Sequence, residues 1–151
     1  MSSAAVRSAF ETAFATVFPT LPLVGIENIT VEFPRDGAGV PINFAATLYF
    51  GSEQPIALNG DDTQQHQWRE TGTINVLLYY RAGRGITDAN TMADAVRNAF
   101  GGTNLPVADP GMRLALLSAN PMTQYLQAPG APIGPYFISA VSIGYEFDFL
   151  R

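Results

Sequence analysis

The sequence has no cysteine, no lysine and a single histidine, His66, among its 151 residues. The absence of cysteine excludes disulfide bonds, thiolate zinc sites and cysteine nucleophiles. The absence of lysine excludes the phosphate-loop lysine and Schiff-base chemistry. With one imidazole in the chain, any metal site would depend mainly on carboxylate and carbonyl oxygens.

Charge is also scarce. Charged residues make up 14% of the chain, against about 25% in an average soluble domain. The net charge is −5 and the eight basic residues, all arginine, are scattered singly, so the sequence lacks the basic patch of a nucleic-acid-binding protein. Because the cores of permanent assemblies are depleted in charge, the composition favours an oligomer. An ordinary monomer with few charges is the alternative.

Long apolar runs are missing as well. The longest purely aliphatic and aromatic run is VLLYY, which is far too short for a membrane span. The first residues carry Arg7 and Glu11 within their apolar pattern, which does not fit the apolar region of a signal peptide. We therefore expect no membrane association.

Three stretches alternate apolar and polar residues, the period of strands with one buried face. In residues 42–51 the predicted apolar face holds Ile42, Phe44, Ala46, Leu48 and Phe50. In residues 68–81 it holds Ile74, Val76, Leu78 and Tyr80. In residues 136–151 it holds Phe137, Val141, Ile143, Tyr145, Phe147 and Phe149. Two further strands are predicted at residues 28–33 and 112–118. A long polar loop is predicted at Ser52–Gln67, and we expect it to become ordered on assembly.

Helical spacing of apolar residues occurs twice. The first helix, before Pro19, presents Val6, Phe10, Phe14, Val17 and Phe18. The second, from about Asp88 to Phe100, presents Ala89, Met92, Ala93, Val96 and Phe100 and ends at Gly101 and Gly102. These elements predict one α+β domain over residues 1–151 in the order α-β-β-β-α-β-β, with a mixed or antiparallel sheet of about five strands and both helices on one face. The predicted shared core is Phe14, Val76, Leu78, Val96, Phe100, Val141, Ile143 and Phe147.

The stretch RAGRG between a strand and a helix has the layout of a phosphate-binding loop. It lacks both established glycine spacings, and Asp88 would place a carboxylate where the phosphate must lie. A structural turn is the better interpretation, and a nucleotide site is kept as the weaker alternative. His66 and the pair Asp61 and Asp62 lie in polar sequence, and Glu146 and Asp148 share the polar face of a strand, so we interpret all five as solvated side chains. The sequence predicts no enzyme, no cofactor and no metal.

The sequence combines an opening amphipathic helix, a paired long hairpin, an RxTG entry into a strand with a glycine-bearing turn after it, the helix ADAVRNAF and the closing strand ISAVSIGYEFDF. In this combination it resembles the tail terminator, or tail completion, proteins of long-tailed phages and gene transfer agents. The resemblance extends over nearly the whole chain. The proline-rich segment at 120–135 is longer than the family pattern.

The resemblance implies a virion structural protein that forms a homohexameric ring at the head-proximal end of the tail, assembled in the host cytoplasm. Such a ring caps the tail tube, stops its growth and joins the head through a connector or neck protein. DNA passes through its pore without specific binding, which an acidic chain suits. The predicted contacts with a neighbouring subunit or the tube are Arg81, Arg84, Glu53, Asp61, Asp62, Met122 and Tyr125. Another ring-forming virion protein, such as a neck or tail tube subunit, is the closer alternative.

Overall fold

The computed structural model describes residues 4–25, 34–57, 66–81, 86–108, 112–122 and 136–151. The elements, in chain order, are α1 (Ala4–Val17), β1 (Leu23–Gly25), β2 (Phe44–Ala57), β3 (Gln67–Arg81), α2 (Ile86–Phe100), β4 (Asn104–Leu105), β5 (Arg113–Met122) and β6 (Tyr136–Leu150). They form an α+β fold with a six-stranded sheet in the order β1-β2-β3-β6-β5-β4. All neighbouring strands are antiparallel except β1, which is parallel to β2.

The sheet is a half-barrel, and the two helices cover one of its faces. Helix α2 packs on the central strands, and α1 contacts both edge strands, β1 and β4. All eight residues predicted to share a core are buried together between helices and sheet. Within this core the ring centroid of Phe100 lies 5.1 Å from that of Phe10 and 6.1 Å from that of Phe14. The prediction of two helices on one face is confirmed.

The strand count differs from the prediction. The sheet has six strands because β4, a two-residue strand, pairs with Leu114 and Ala115 of β5. The first strand is β1, at Leu23–Gly25, whereas the predicted strand at 28–33 lies outside the described residues. So short a strand has no alternation to detect, which is why neither β1 nor β4 was predicted.

The predicted apolar face of β2 is wrong. The residues that face the helices are Ala45, Thr47 and Tyr49, which pair with Leu78, Val76 and Ile74 of β3. Paired residues share a face of the sheet, so the partner strand decides which side of β2 is buried. Phe44 and Ala46 lie in a smaller cluster that includes Tyr136, and Phe50 is 57% exposed.

Two further corrections concern the ends of α1 and β2. Val17, predicted to face the core, is 47% exposed at the end of α1. Residues 52–57, predicted as part of a loop, continue β2 and pair with Gln67–Thr71. These residues show no alternation of polar and apolar side chains, so the sequence predicts a loop. The pairing of β2 with β3 nevertheless continues through them. The rest of that predicted loop, residues 58–65, lies outside the described residues.

Candidate interaction surfaces

The central strands are much longer than the helices that cover them. Strands β3 and β6 each have 15 residues and span about 50 Å at about 3.3 Å per residue. Helix α2 also has 15 residues but spans only about 22 Å at 1.5 Å per residue. The far ends of β2 and β3 therefore extend past the core as an arm, formed by residues 52–57 and 67–71. The β3 part of the arm pairs with residues 146–150 of β6, where Phe147 still belongs to the core. In the arm Ser52, Glu53, Gln54, Pro55 and Ile56 are all exposed.

The base of the arm is built around a buried carboxyl group. Glu70 is fully buried, and the Tyr145 hydroxyl donates a 2.5 Å hydrogen bond to its Oε1. Tyr145 occupies space left open by the paired glycines Gly51 and Gly72. A Cβ atom at Gly72 would overlap the Phe50 carbonyl oxygen and the Tyr145 hydroxyl. The strands thus approach here at a distance that only glycine permits.

Ion pairs hold the outer part of the arm. On the face away from the helices, Arg69 donates through Nε and Nη2 to the two Asp148 oxygens at 2.6 and 2.9 Å. These hydrogen bonds, with charge from Arg69 and Arg113, hold the pKa of Asp148 below its ordinary value against the opposing effect of burial. Glu146 Oε2 lies 3.7 Å from Arg69. The expectation that Asp148 is simply solvated is therefore wrong.

The opposite face of the arm carries a second set of contacts. Arg151 Nη1 donates to Glu53 Oε2 at 3.0 Å, and the Arg151 guanidinium lies 5.4 Å from the centre of the Trp68 ring. The backbone of His66 exchanges two hydrogen bonds with that of Arg151. Polar and cation–π contacts thus hold the arm to β6, whose Phe147 lies in the apolar core.

At the other end of the sheet, Arg35 and Arg81 converge on Tyr136. Arg81 ends β3 directly opposite Tyr136 of β6, and its backbone N–H donates to Asn43 Oδ1 at 2.9 Å. The Tyr136 hydroxyl donates to the Ile42 carbonyl at 3.0 Å. Ile42 is bound in turn to the short loop that carries Arg35. Burial raises the pKa of Tyr136, and the positive charges of Arg35 and Arg81 partly offset that rise.

An apolar groove of about 700 Å³ runs between α1 and the segment after α2. Its α1 wall consists of small side chains, among them Ala5, Ala9 and Ala13, with Val17 at one end. Leu105, Val107 and Met112 supply much of the other wall. This groove is where the exposed Val17 lies, so part of the first helix's apolar pattern faces an open surface instead of the core.

The predicted contact residues fall at both ends of the sheet. Glu53 lies on the arm, paired with Arg151, and Arg81 is exposed at the end of β3. The backbone of Met122 ends β5 and pairs with Ala140. The remaining four, Arg84, Asp61, Asp62 and Tyr125, lie outside the described residues. Sequence reasoning missed Arg35, because only the fold brings it near Tyr136, the residue opposite Arg81.

The described residues contain no group of three or more His, Cys, Asp or Glu side chains placed to hold a metal ion. Within the same residues, no helix is both long and apolar enough to cross a membrane. The glycines of the RAGRG stretch, Gly83 and Gly85, lie between the described ends of β3 and α2. The turn interpretation of that stretch therefore stays a prediction.

No family model matches the chain, and no curated protein matches it. The chain is similar to a solved protein structure whose name states no activity. The two share 18% sequence identity with a TM-score of 0.61, over 99% of this chain and 97% of the other. At this level of identity the likeness shows the fold alone: the α+β half-barrel described above accounts for nearly the full length of both proteins.

Proposed function

We propose that this protein is a tail terminator subunit of a phage or phage-derived particle. It forms a homohexameric ring at the head-proximal end of the tail, caps the tube, stops its growth and presents the surface that the connector or neck protein binds. The proposal rests on the resemblance carried by the helix ADAVRNAF, the RxTG entry into β3 and the closing strand β6. The subunit is assembled in the host cytoplasm and remains in the virion.

The arm is the observation that carries the proposal. Its β2 portion is exposed, and ion pairs hold it to Asp148 of β6 and to Arg151. An arm of this kind adds little to the core of its own subunit, yet it gives a neighbouring subunit or the tube a preformed surface. A ring protein requires such a surface, whereas a solitary binding domain does not.

Charge supports the same conclusion. The chain carries 13 acidic and eight basic residues, so DNA moving through a ring of six copies would meet a net negative protein. Like charges keep DNA from adhering to the pore wall. The face of the sheet away from the helices offers polar side chains suited to such a wall, including Thr73, Asn75 and Ser142, none of which is buried.

Electron microscopy of the purified protein, together with native mass spectrometry, tests the proposal. We expect six-fold rings, and we expect isolated tail tubes to acquire a cap at one end when the protein is added. A protein that stays monomeric, both alone and with tubes, would refute the proposal. Self-assembly into long tubes would identify a tail tube subunit instead. A rise in melting temperature with ATP or GTP would favour the nucleotide-binding alternative.

A further inference from the structure

The arginines of this chain differ in whether they have a carboxylate partner. Among the described residues, Arg69, Arg97 and Arg151 form ion pairs with Asp148, Asp94 and Glu53. Arg113 stands opposite Asp148 in the sheet, and Arg7 lies over the Tyr49 ring, 4.9 Å from its centre. Arg35 and Arg81 are both exposed, and neither forms an ion pair with another described residue.

Arg35 is also held in place. The Asp36 carboxylate accepts hydrogen bonds from the backbone N–H groups of Ala38 and Val40 at 2.9 and 2.8 Å, which fixes the loop that carries Arg35. Arg35 itself donates from Nη1 to the Gly39 carbonyl at 2.8 Å. That bond leaves most of the guanidinium's donors for another partner.

The surface between the two arginines is rigid and aromatic. Tyr136 is 6% exposed, and its ring meets Phe44 edge-on at 5.4 Å. Phe44 stacks on Tyr79, with 4.4 Å between ring centroids. The packed aromatic residues beside Arg81 lose little conformational freedom when an anionic partner binds. We call Arg35, Arg81 and Tyr136 the arginine patch.

We propose that the arginine patch binds carboxylate groups on a second copy of this chain and so forms a contact between neighbouring subunits of the ring. The proposal rests on the proposed ring function and names the chemistry of one contact within it. Arginine pairs with carboxylates in a planar, two-bond geometry and keeps its charge when partly buried. With 13 acidic residues against eight arginines, each copy has carboxylates beyond the number its own arginines can neutralise.

The position of the patch suits a head-to-tail contact between subunits. The patch lies at one end of a long sheet, and a carboxylate elsewhere on the next subunit makes a head-to-tail contact. Contacts of that kind close into rings when the rotation between copies permits it. In a two-fold dimer the same contact would occur twice, between each patch and a carboxylate of the other copy, so the number of copies in the complex distinguishes the two arrangements.

The test compares the double variant Arg35→Glu/Arg81→Glu with wild type by native mass spectrometry and sedimentation velocity. We expect the apparent association constant to fall about tenfold or more, because a charge pair becomes a repulsion. We expect added salt to weaken the wild type more than the variant. Arg97→Glu is the matched control, since that arginine is equally exposed but paired within its own helix. It should assemble as the wild type does.

Each outcome separates this contact from the ring itself. If wild type forms rings and the double variant forms them equally well, the patch contact is wrong and the ring proposal stands. If wild type forms no rings at all, both proposals fail. If the variant assembles normally but loses retention of a short DNA duplex that wild type retains, the patch binds phosphate and our inference is overturned. Far-UV circular dichroism melts of each variant verify that the subunit remains folded.

Discussion

Two regions of the same long strands differ in the contacts that stabilise them. Under the helices, β3 alternates strictly, and Ile74, Val76 and Leu78 are fully buried. In the arm the same strand carries Trp68, Arg69 and Glu70, and its contacts are an ion pair, a cation–π contact and a buried hydrogen bond. Burial of apolar area dominates stability in the first region. In the second, individual polar contacts of modest net value fix a shape.

The comparison predicts that stability is concentrated under the helices. Replacing Phe100, 2% exposed and in contact with Phe10 and Phe14, by alanine should lower the free energy of unfolding by about 3–5 kcal/mol. Chemical denaturation measures this loss. Phe50→Ala removes a ring of the same size from a side chain that is 57% exposed and should cost less than about 1 kcal/mol. Similar losses at both positions would contradict the prediction that stability is concentrated under the helices.

The glycine pair at the base of the arm should show the next largest effect. A methyl group at Gly72 meets the Phe50 carbonyl oxygen, which is backbone and cannot rotate away. Gly72→Ala should therefore cost about 1–3 kcal/mol, in the range for overpacking. Gly144→Ala on β6 is the control, because its added Cβ would meet Leu117 at an ordinary 3.5 Å. If thermal and chemical unfolding show equal losses of stability for the two variants, the close approach of β2 and β3 does not require glycine at position 72.

The smallest effect concerns Asp148 and depends on pH. Because folding lowers the pKa of Asp148, its ion pair with Arg69 stabilises the fold above the carboxyl's unfolded pKa of about 3.9. That contribution is lost as the pH falls through the lower, folded pKa. Asp148→Asn should cost less than about 1 kcal/mol at neutral pH, since the pair is partly solvated. In unfolding curves measured from pH 7 to pH 2, the free energy of unfolding of this variant should fall less steeply with decreasing pH than that of wild type. An equally steep fall would contradict the prediction.

The sequence was informative where one face of an element is clearly apolar. Helix α2 and the parts of β3 and β6 under the helices have one apolar face, and the core residues there were predicted correctly. At the start of β6 the burial of Tyr136, Ile138 and Ala140 on the other face was not predicted. Strand β2 has apolar residues on both faces, so its orientation depends on the register with β3, which no single-strand pattern contains. Residues 52–57 carry no apolar alternation although they are paired. Arg35 and Arg81 lie 46 positions apart, and Tyr136 joins them only in the folded sheet.

The order of strands in the sheet also constrains how this subunit is made. Strand β6 is last in chain order but lies between β3 and β5, near the middle of the sheet. During synthesis the earlier strands have no central partner, because the residues that join the two halves emerge after all the others. Contacts of such large sequence separation slow folding and leave strand edges open in the meantime. The protein is therefore expected to complete its fold only after β6 has left the ribosome, and a chain that ends before β6 would lack the strand that joins β3 to β5.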